Sequence, residues 1–221
     1  MSKFRVAFTK QAQASYISHL DLMRTFHRAF LRTGLSIRHS AGFHPHPIMS
    51  IVLPLPVGQS SLCELLDVEL NEDISGEEVT RRLNQCLPAG LHILECYTPE
   101  APVRELALLK AALFLDYDQP IPEDTVSQLR SLLKQEHLMA EKKSKHKGLT
   151  QIDIRPMLHR FSIEQAESHV IEVEVLVSAQ DPGLNPALLG QVICRELPAC
   201  APDFLRVQRL MFYKKDETIF R

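Results

Sequence analysis

The spacing of apolar and polar positions orders the first half of the chain as strand, helix, strand, strand, helix, strand. Alternating apolar residues indicate strands with one buried face, and apolar residues at three- and four-residue steps indicate helices. The predicted elements are a strand at 4–8, a helix from about 19 to 34, strands at 48–53 and 66–70, a helix from 75 to about 87, and a strand at 91–97.

The second half repeats this order. The predicted elements are a strand at 113–117, a helix at 122–135, a basic turn bracketed by 137–145 and 151–164, a strand at 171–177, a helix that Asn185 caps with Pro186 at its first position, and a strand at 204–213. The order β-α-β-β-α-β is typical of ferredoxin-like units. We therefore predict an α+β fold of tandem ferredoxin-like (βαββαβ) units forming one compact body, with domains at 1–100 and 108–221.

The first predicted helix has local signals at both ends. Ser18 precedes Asp21 by three residues, which is a capping box that places the helix start near His19. Gly34 supplies a left-handed C-terminal cap. The apolar stripe that should pack inward comprises Leu22, Phe26, Ala29 and Phe30.

Arginines occupy another face of this helix. Arg24, Arg28 and Arg32 recur at four-residue spacing, with His27 beside them. Because packing needs only one face, the arginine face is either an ordinary solvated surface or free to contact an anionic partner.

The segment 39–47, which we call the histidine loop, has an unusual composition. Gly42 permits backbone conformations that other residues resist, and Pro45 and Pro47 favour extended conformations in the residues before them. In an extended segment His44 and His46 project to the same side. We predict that His39, His44 and His46 line a cleft with His19 or Asp21.

Histidines can bind metal, but cysteines and carboxylates at ligand spacing are missing near this loop. We therefore expect no tightly bound metal and no cofactor. Hydrogen bonding to phosphate or to the backbone of the loop is the simpler role for these imidazoles.

Several motifs give the chain a resemblance to a known family. They are Phe8 with Lys10, residues 16–24, Arg32, Gly34, and segments 40–47, 53–58, 61–64 and 152–156. Together they resemble the bacterial radical-SAM-linked family, a domain of unknown function. The resemblance implies a domain fused to, or encoded beside, radical-SAM proteins, some of which carry a cobalamin-binding domain.

The placement of the cysteines indicates that this chain is the companion of a radical-SAM enzyme and not the enzyme itself. The five cysteines are scattered along 221 residues and form no three-cysteine cluster of the kind that holds the iron–sulfur cluster of radical-SAM enzymes. The radical-SAM protein is thus expected as a partner. No apolar run reaches the roughly 20 residues needed to span a bilayer, so we expect no membrane partner and a cytoplasmic location.

Charge is unevenly distributed although the net charge is only −2. Residues 1–50 hold seven Lys or Arg against the single acid Asp21, acids concentrate in 51–110, and a second basic segment lies at 142–160. Such asymmetry is the footprint expected of a polyanion-binding face, although surface scatter can produce it as well.

RNA recognition fits these residues best. Phe43 and Tyr16 are candidate base-stacking residues unless both lie in the core, and arginines and lysines are candidate phosphate contacts. The predicted substrate-binding residues are His19, Asp21, Arg24, Arg28, Arg32, Arg38, His39, Ser40, Gly42, Phe43, His44, His46, Lys142, Lys143 and Arg155, with Lys147 as a further phosphate contact.

The favoured hypothesis is therefore a non-catalytic substrate-binding accessory of a radical-SAM enzyme that modifies transfer or ribosomal RNA. Two alternatives stay open. The chain can be a protein–protein adaptor for that partner, docking through the acidic segment 64–78 or the arginine face. It can also be a metal-independent, histidine-dependent endoribonuclease, in which arginines stabilise charge developing on phosphate.

Overall fold

The structure, a computed structural model, describes residues 2–144 and 148–221. The chain is α+β, as predicted, and divides into two compact units. Unit 1 comprises Met1–Glu105 with Phe220–Arg221, and unit 2 comprises Leu106–Ile219. In the described ranges no helix is both long enough and apolar enough to cross a membrane.

Unit 1 has the predicted element order. Its elements are β1 (Ser2–Lys10), α1 (His19–Thr33), β2 (Met49–Ile51), β3 (Ser60–Leu70), α2 (Gly76–Asn84) and β4 (Leu91–Tyr97). β1 lies between β4 and β3, and the short β2 pairs with β3. Every one of these pairings is antiparallel.

The core of unit 1 forms where α1 packs on the sheet. The predicted apolar stripe of α1, Leu22, Phe26, Ala29 and Phe30, is buried. Phe26 meets Phe8 of β1 edge to face, with ring centroids 4.8 Å apart. Phe4, Val6 and Phe8 all lie in this core because alternate strand residues face the same side. α1 is therefore fixed by its apolar face, and the opposite face remains exposed.

The last two residues of the chain belong to unit 1, whereas the sequence placed them in the second domain. The guanidinium of Arg5, which is 1% exposed, lies 4.7 Å from the ring centroid of Phe220 and forms a two-bond ion pair with Asp67. Arg221 binds the carboxylate of Glu95 and stacks on Tyr97. These contacts join residues at least 62 positions apart, so no local pattern could have revealed them.

The described part of unit 2 contains four paired strands, two α-helices and a separate two-stranded hairpin. Its elements are β5 (Leu108–Asp116), α3 (Thr125–Leu133), β6 (Met139–Ser144), β7 (Gly148–Asp153), β8 (Leu158–Glu167), β9 (Val170–Ser178), α4 (Ala187–Glu196) and β10 (Phe204–Tyr213). The strands β10, β5, β9 and β8 pair in that order, all antiparallel. β6 and β7 pair with each other in a separate two-stranded sheet.

Two local features of unit 2 lie within predicted elements. The segment 151–164, predicted to flank a basic turn, contains a 3₁₀ turn at Arg155–Met157 that separates β7 from β8, because Pro156 lacks the amide hydrogen that a continuing ladder needs. The Asn185 side chain accepts a hydrogen bond from the Ala187 amide at 3.2 Å, as expected of a capping residue, and α4 follows at Ala187–Glu196 with Pro186 in helical conformation before it. The predicted phosphate contact Lys147 lies outside the described residues.

Candidate functional site

The N-terminus of α1 is held by the predicted capping residues. The Ser18 hydroxyl accepts the Asp21 amide at 3.2 Å and donates to the Asp21 carboxylate at 2.7 Å. Arg24 binds the other carboxylate oxygen at 3.1 Å. The hydrogen bond from Ser18, followed by that from Arg24, lowers the pKa of Asp21. Asp21 therefore stays ionised and helps to fix the direction of Arg24.

The four arginines of this region differ in what they contact. Arg32 donates to the carbonyl oxygen of Cys86 at 2.6 Å, and Arg38 forms an ion pair with Glu69 at 2.9 Å. Arg24 and Arg28 lie on the exposed face of α1, and Arg28 makes only a long 3.4 Å contact with a carbonyl of its own helix. Arg24 and Arg28 are thus the arginines best placed to contact a partner.

The exposed face of α1 also carries two leucines. Leu20 and Leu31 are each 65% exposed. At 100° per residue they project in nearly the same direction as Arg24 and His27. The face is therefore mixed, with apolar side chains toward both ends and basic side chains between them.

The histidine loop is closed at its base by backbone and side-chain contacts. His39 and Pro47 form a β-bridge, and the Ser40 amide donates to the His46 carbonyl oxygen at 2.9 Å. The Ser40 hydroxyl accepts the His46 amide at 3.1 Å and lies 2.8 Å from His46 Nδ1. These contacts give Ser40 and His46 a structural role in shaping the loop.

The tip of the loop faces solvent. Gly42 adopts a φ of 119°, in the region that favours glycine. The next residue, Phe43, has a relative exposure of 102%, and Tyr16 is 68% exposed. Neither aromatic lies in the core, so the alternative that both are core residues is excluded. His44 is exposed as well.

His39 lies in a pocket with a histidine of α1. The pocket, about 210 Å³, is lined by His27, His39 and Ser36 together with apolar side chains that include Phe30 and Ile37. His39 Nδ1 donates to the Ile37 carbonyl oxygen at 3.0 Å, because a carbonyl oxygen only accepts. In the neutral ring His39 Nε2 is therefore left as an acceptor.

The sequence predicted a cleft that the histidine loop shares with His19 or Asp21, and this pocket contains neither residue. His19 and Asp21 lie in the first turn of α1, whereas the residues of α1 that line the pocket, His27 to Leu31, lie about 9–18 Å further along the axis. In the described residues no group of three or more His, Cys, Asp or Glu side chains is placed to hold a metal ion.

The basic residues of the second half contribute differently from what the sequence predicted. The guanidinium of Arg155 donates to the carbonyl oxygens of Gln135 at 3.1 Å and Leu158 at 2.7 Å. Its amide donates to Asp153, whose pKa falls to about 2 chiefly through a hydrogen bond with His137. Arg155 thus ties the end of α3 to the start of β8. Lys142 and Lys143 belong to β6, and their side chains lie outside the described part of the structure.

Sequence reasoning assigned no role to several buried polar residues of unit 1. Lys10, Ser61 and Glu64 are each at most 1% exposed, and Lys10 Nζ donates to the Ser15 carbonyl oxygen at 3.0 Å. The signal was present in the sequence. Lys10 follows Phe8 by two positions and Glu64 precedes Leu66 by two, so both continue series of inward-facing residues.

Fold and site together define an α+β protein in which a basic helix face and an exposed His-Pro loop lie in one antiparallel unit. A family model described as "Uncharacterized protein conserved in bacteria (DUF2344)" matches residues 3–186, and the chain belongs to this family. No curated protein matches the chain.

Solved structures show a likeness of fold. The chain is similar to one in the "Crystal Structure of a Cbf5-Nop10-Gar1 Complex", with a TM-score of 0.52 and 11% identity over 97% of this chain and 50% of that one. The chain thus spans half the length of that protein. A second structure, "Crystal Structure of an Unknown Protein from Galdieria sulphuraria", matches at a TM-score of 0.25 and 11% identity, over 94% of this chain and 97% of that one. That score is too low to indicate a shared fold.

Proposed function

We propose that this chain binds RNA as the non-catalytic, substrate-binding accessory of a radical-SAM enzyme. One observation supports the RNA part most strongly. Residues 22–63, which include the histidine loop and all of α1 after its first three residues, contain four arginines and no Asp or Glu; the nearest acid along the chain is Asp21, which pairs with Arg24. A partner that meets this surface encounters positive charge, two imidazoles and an exposed aromatic ring without a competing carboxylate from the same segment.

Arg24 and Arg28 are the proposed phosphate contacts. A guanidinium has five N–H donors, and Arg24 uses one nitrogen, Nη1, to bind Asp21. The remaining donors can bind phosphate oxygens, whose contacts with Arg and Lys supply most of the sequence-independent affinity for nucleic acids. Arg32 and Arg38 are already bonded within unit 1 and would contribute mainly through their charge.

The radical-SAM part of the proposal rests on the motif resemblance and on cysteine placement. The five cysteines, Cys63, Cys86, Cys96, Cys194 and Cys200, are all free thiols and do not form a cluster-binding motif. Radical chemistry on the RNA would therefore belong to the partner protein, while this chain would hold the substrate.

We also propose that the two units are tandem ferredoxin-like repeats. In unit 1 the strands pair as β4-β1-β3-β2, and in unit 2 as β10-β5-β9-β8. Each order is fourth, first, third, second within its unit when the β6-β7 hairpin is treated as an insertion. This matching order supports a duplication. A parallel strand pair inside either unit, found by crystallography, would contradict it.

Direct titration tests RNA binding. Fluorescently labelled transfer RNA and ribosomal RNA fragments should bind the purified chain at 50 mM salt with a Kd well below the roughly 10⁻⁴ M of weak nonspecific binding, and the affinity should fall as salt rises. Absence of such affinity would refute the RNA proposal. Co-purification with the radical-SAM protein would then decide whether the chain is an adaptor.

A further inference from the structure

We infer that Phe43 is a stacking platform for one unpaired nucleobase, so that the RNA held by this chain is single-stranded or looped at that point. This inference rests on the proposed function, because it assigns a specific part of the RNA to a specific part of the surface. It adds a selectivity that phosphate contacts cannot provide: the chain should discriminate unpaired RNA from duplex of the same sequence.

The exposure of Phe43 is the first step. Its relative exposure of 102% means that the chain covers neither face of the ring. Full exposure of a phenyl ring contributes nothing to folding, since apolar side chains stabilise a protein only through area removed from water. The ring is therefore available to a ligand with a flat apolar face.

The second step is the rigidity of the loop base. The His39–Pro47 bridge, the Ser40 amide bonded to the His46 carbonyl oxygen, and the Ser40 hydroxyl bonded to the His46 amide leave five residues, 41–45, as the tip. Pro45 fixes its own φ within this tip. A ring presented by a closed loop loses less conformational freedom on binding than one on an open loop, which favours affinity.

The third step identifies the occupant by charge. Because the segment 22–63 carries four arginines and no acid, its formal charge is +4 with neutral histidines. Phosphodiesters complement this charge, and every base offers a π-face that an aromatic ring can stack on regardless of sequence. The exposed imidazole of His44, next to Phe43, can hydrogen-bond to a base edge or phosphate.

The fourth step distinguishes unpaired RNA from duplex. In an A-form helix each base face is covered by its neighbours, and the deep major groove excludes side chains. An aromatic ring on a protruding loop can therefore reach a base face only where the base is unstacked. Duplex RNA would therefore bind through its phosphates to Arg24 and Arg28, without stacking on Phe43.

Tryptophan fluorescence gives a direct test, because the chain contains no tryptophan. In Phe43→Trp the single indole should be quenched when a single-stranded oligonucleotide binds, and unquenched with the same sequence in a blunt duplex. Phe204→Trp is the matched control, since Phe204 is an aromatic residue 59% exposed in unit 2. Its emission should not change with either oligonucleotide.

A second variant measures the contribution to affinity. Phe43→Ala should weaken single-strand binding about 5- to 100-fold, the range expected for losing one base–aromatic stack, and leave duplex binding unchanged. The substitution should not affect folding, because the ring touches no core. Unchanged emission in Phe43→Trp, with Phe43→Ala retaining wild-type affinity for single strands, would overturn the inference while RNA binding stands. Failure of the wild type to bind any RNA at low salt would overturn both.

Discussion

The hydroxyl of Ser40 lies 2.8 Å from His46 Nδ1 and also accepts the amide of His46 at 3.1 Å. One short side chain thereby satisfies both the backbone and the ring of a residue six positions away. This double contact joins the two residues that flank the five-residue tip, 41–45, on which Phe43 lies. The histidine loop is consequently held closed at its base by two of the predicted site residues, Ser40 and His46.

Ser40→Ala should loosen the loop without destabilising the protein. The variant loses a partner for the His46 amide, so hydrogen exchange of that amide should accelerate about fivefold, corresponding to about 1 kcal/mol of local stability. The free energy of global unfolding should hardly change, because the loop contributes nothing to the core. Ser50→Ala, at an exposed position of β2, is the control and should leave the His46 amide unaffected. Unchanged exchange in Ser40→Ala would show that the loop is closed by its backbone contacts alone.

Arg155→Ala should reduce stability and spare RNA binding. The variant leaves the carbonyl oxygens of Gln135 and Leu158 without their guanidinium donor, which should cost about 1–3 kcal/mol in urea unfolding. Arg160→Ala removes the same charge from an exposed ion pair and should cost less than about 1 kcal/mol. RNA affinity should agree with wild type within about twofold for both variants, since neither guanidinium is one of the proposed phosphate contacts. A stable Arg155→Ala protein with weakened RNA binding would instead make Arg155 the substrate-binding residue that the sequence predicted.

The pH dependence of stability should contain a contribution from Glu78. Hydrogen bonds from Arg81, and then Arg82, lower its pKa from 4.5 to about 2. Because the folded pKa is depressed, the stabilisation is fully present above pH 4.5 and is lost as pH falls from there toward about 2. The difference in urea midpoint between wild type and Glu78→Gln should therefore be constant from pH 6 to 8 and shrink below pH 4.5.

Glu77→Gln is the matched control for that experiment. Glu77 lies in the same first turn of α2 and is exposed. Its replacement removes the same charge from the same helix end, so any effect of the helix dipole is shared. If both variants showed the same midpoints throughout the titration, the arginine contacts of Glu78 would contribute nothing in solution.

The sequence predicted α1 well because its signals are local. Ser18, Asp21 and Gly34 act within one turn of the helix end that each residue fixes, and the apolar stripe depends only on spacing. β10 and β4 were also predicted with the observed bounds, since alternation continues to their last residues. β2 is shorter than predicted, at Met49–Ile51, because pairing with β3 sets its length.

The candidate site was less accessible to prediction. Arg32 and Arg38 were expected to bind a ligand, but their partners Cys86 and Glu69 lie 54 and 31 residues away. The sequence also left open whether Phe43 is buried, and only the closed loop shows that it projects into solvent. The spacing of residues in the sequence predicts which face of a helix or strand carries a side chain. Which other groups that side chain contacts depends on packing between elements that are far apart in the sequence.

The central claim, that the exposed arginine face of α1 binds RNA phosphates, is tested most directly by the salt dependence of RNA affinity in Arg24→Ala/Arg28→Ala. The control is Arg81→Ala/Arg104→Ala, which removes the same charge from exposed positions elsewhere in unit 1. Circular dichroism should show both double variants folded, since none of the four side chains lies in the core.

With single-stranded RNA each lost phosphate contact should reduce the magnitude of the slope of log K against log salt by about 0.7, hence by about 1.4 for the α1 variant. The control should retain the wild-type slope. Equal slopes for wild type and the α1 variant, or equal losses in the two double variants, would contradict the account.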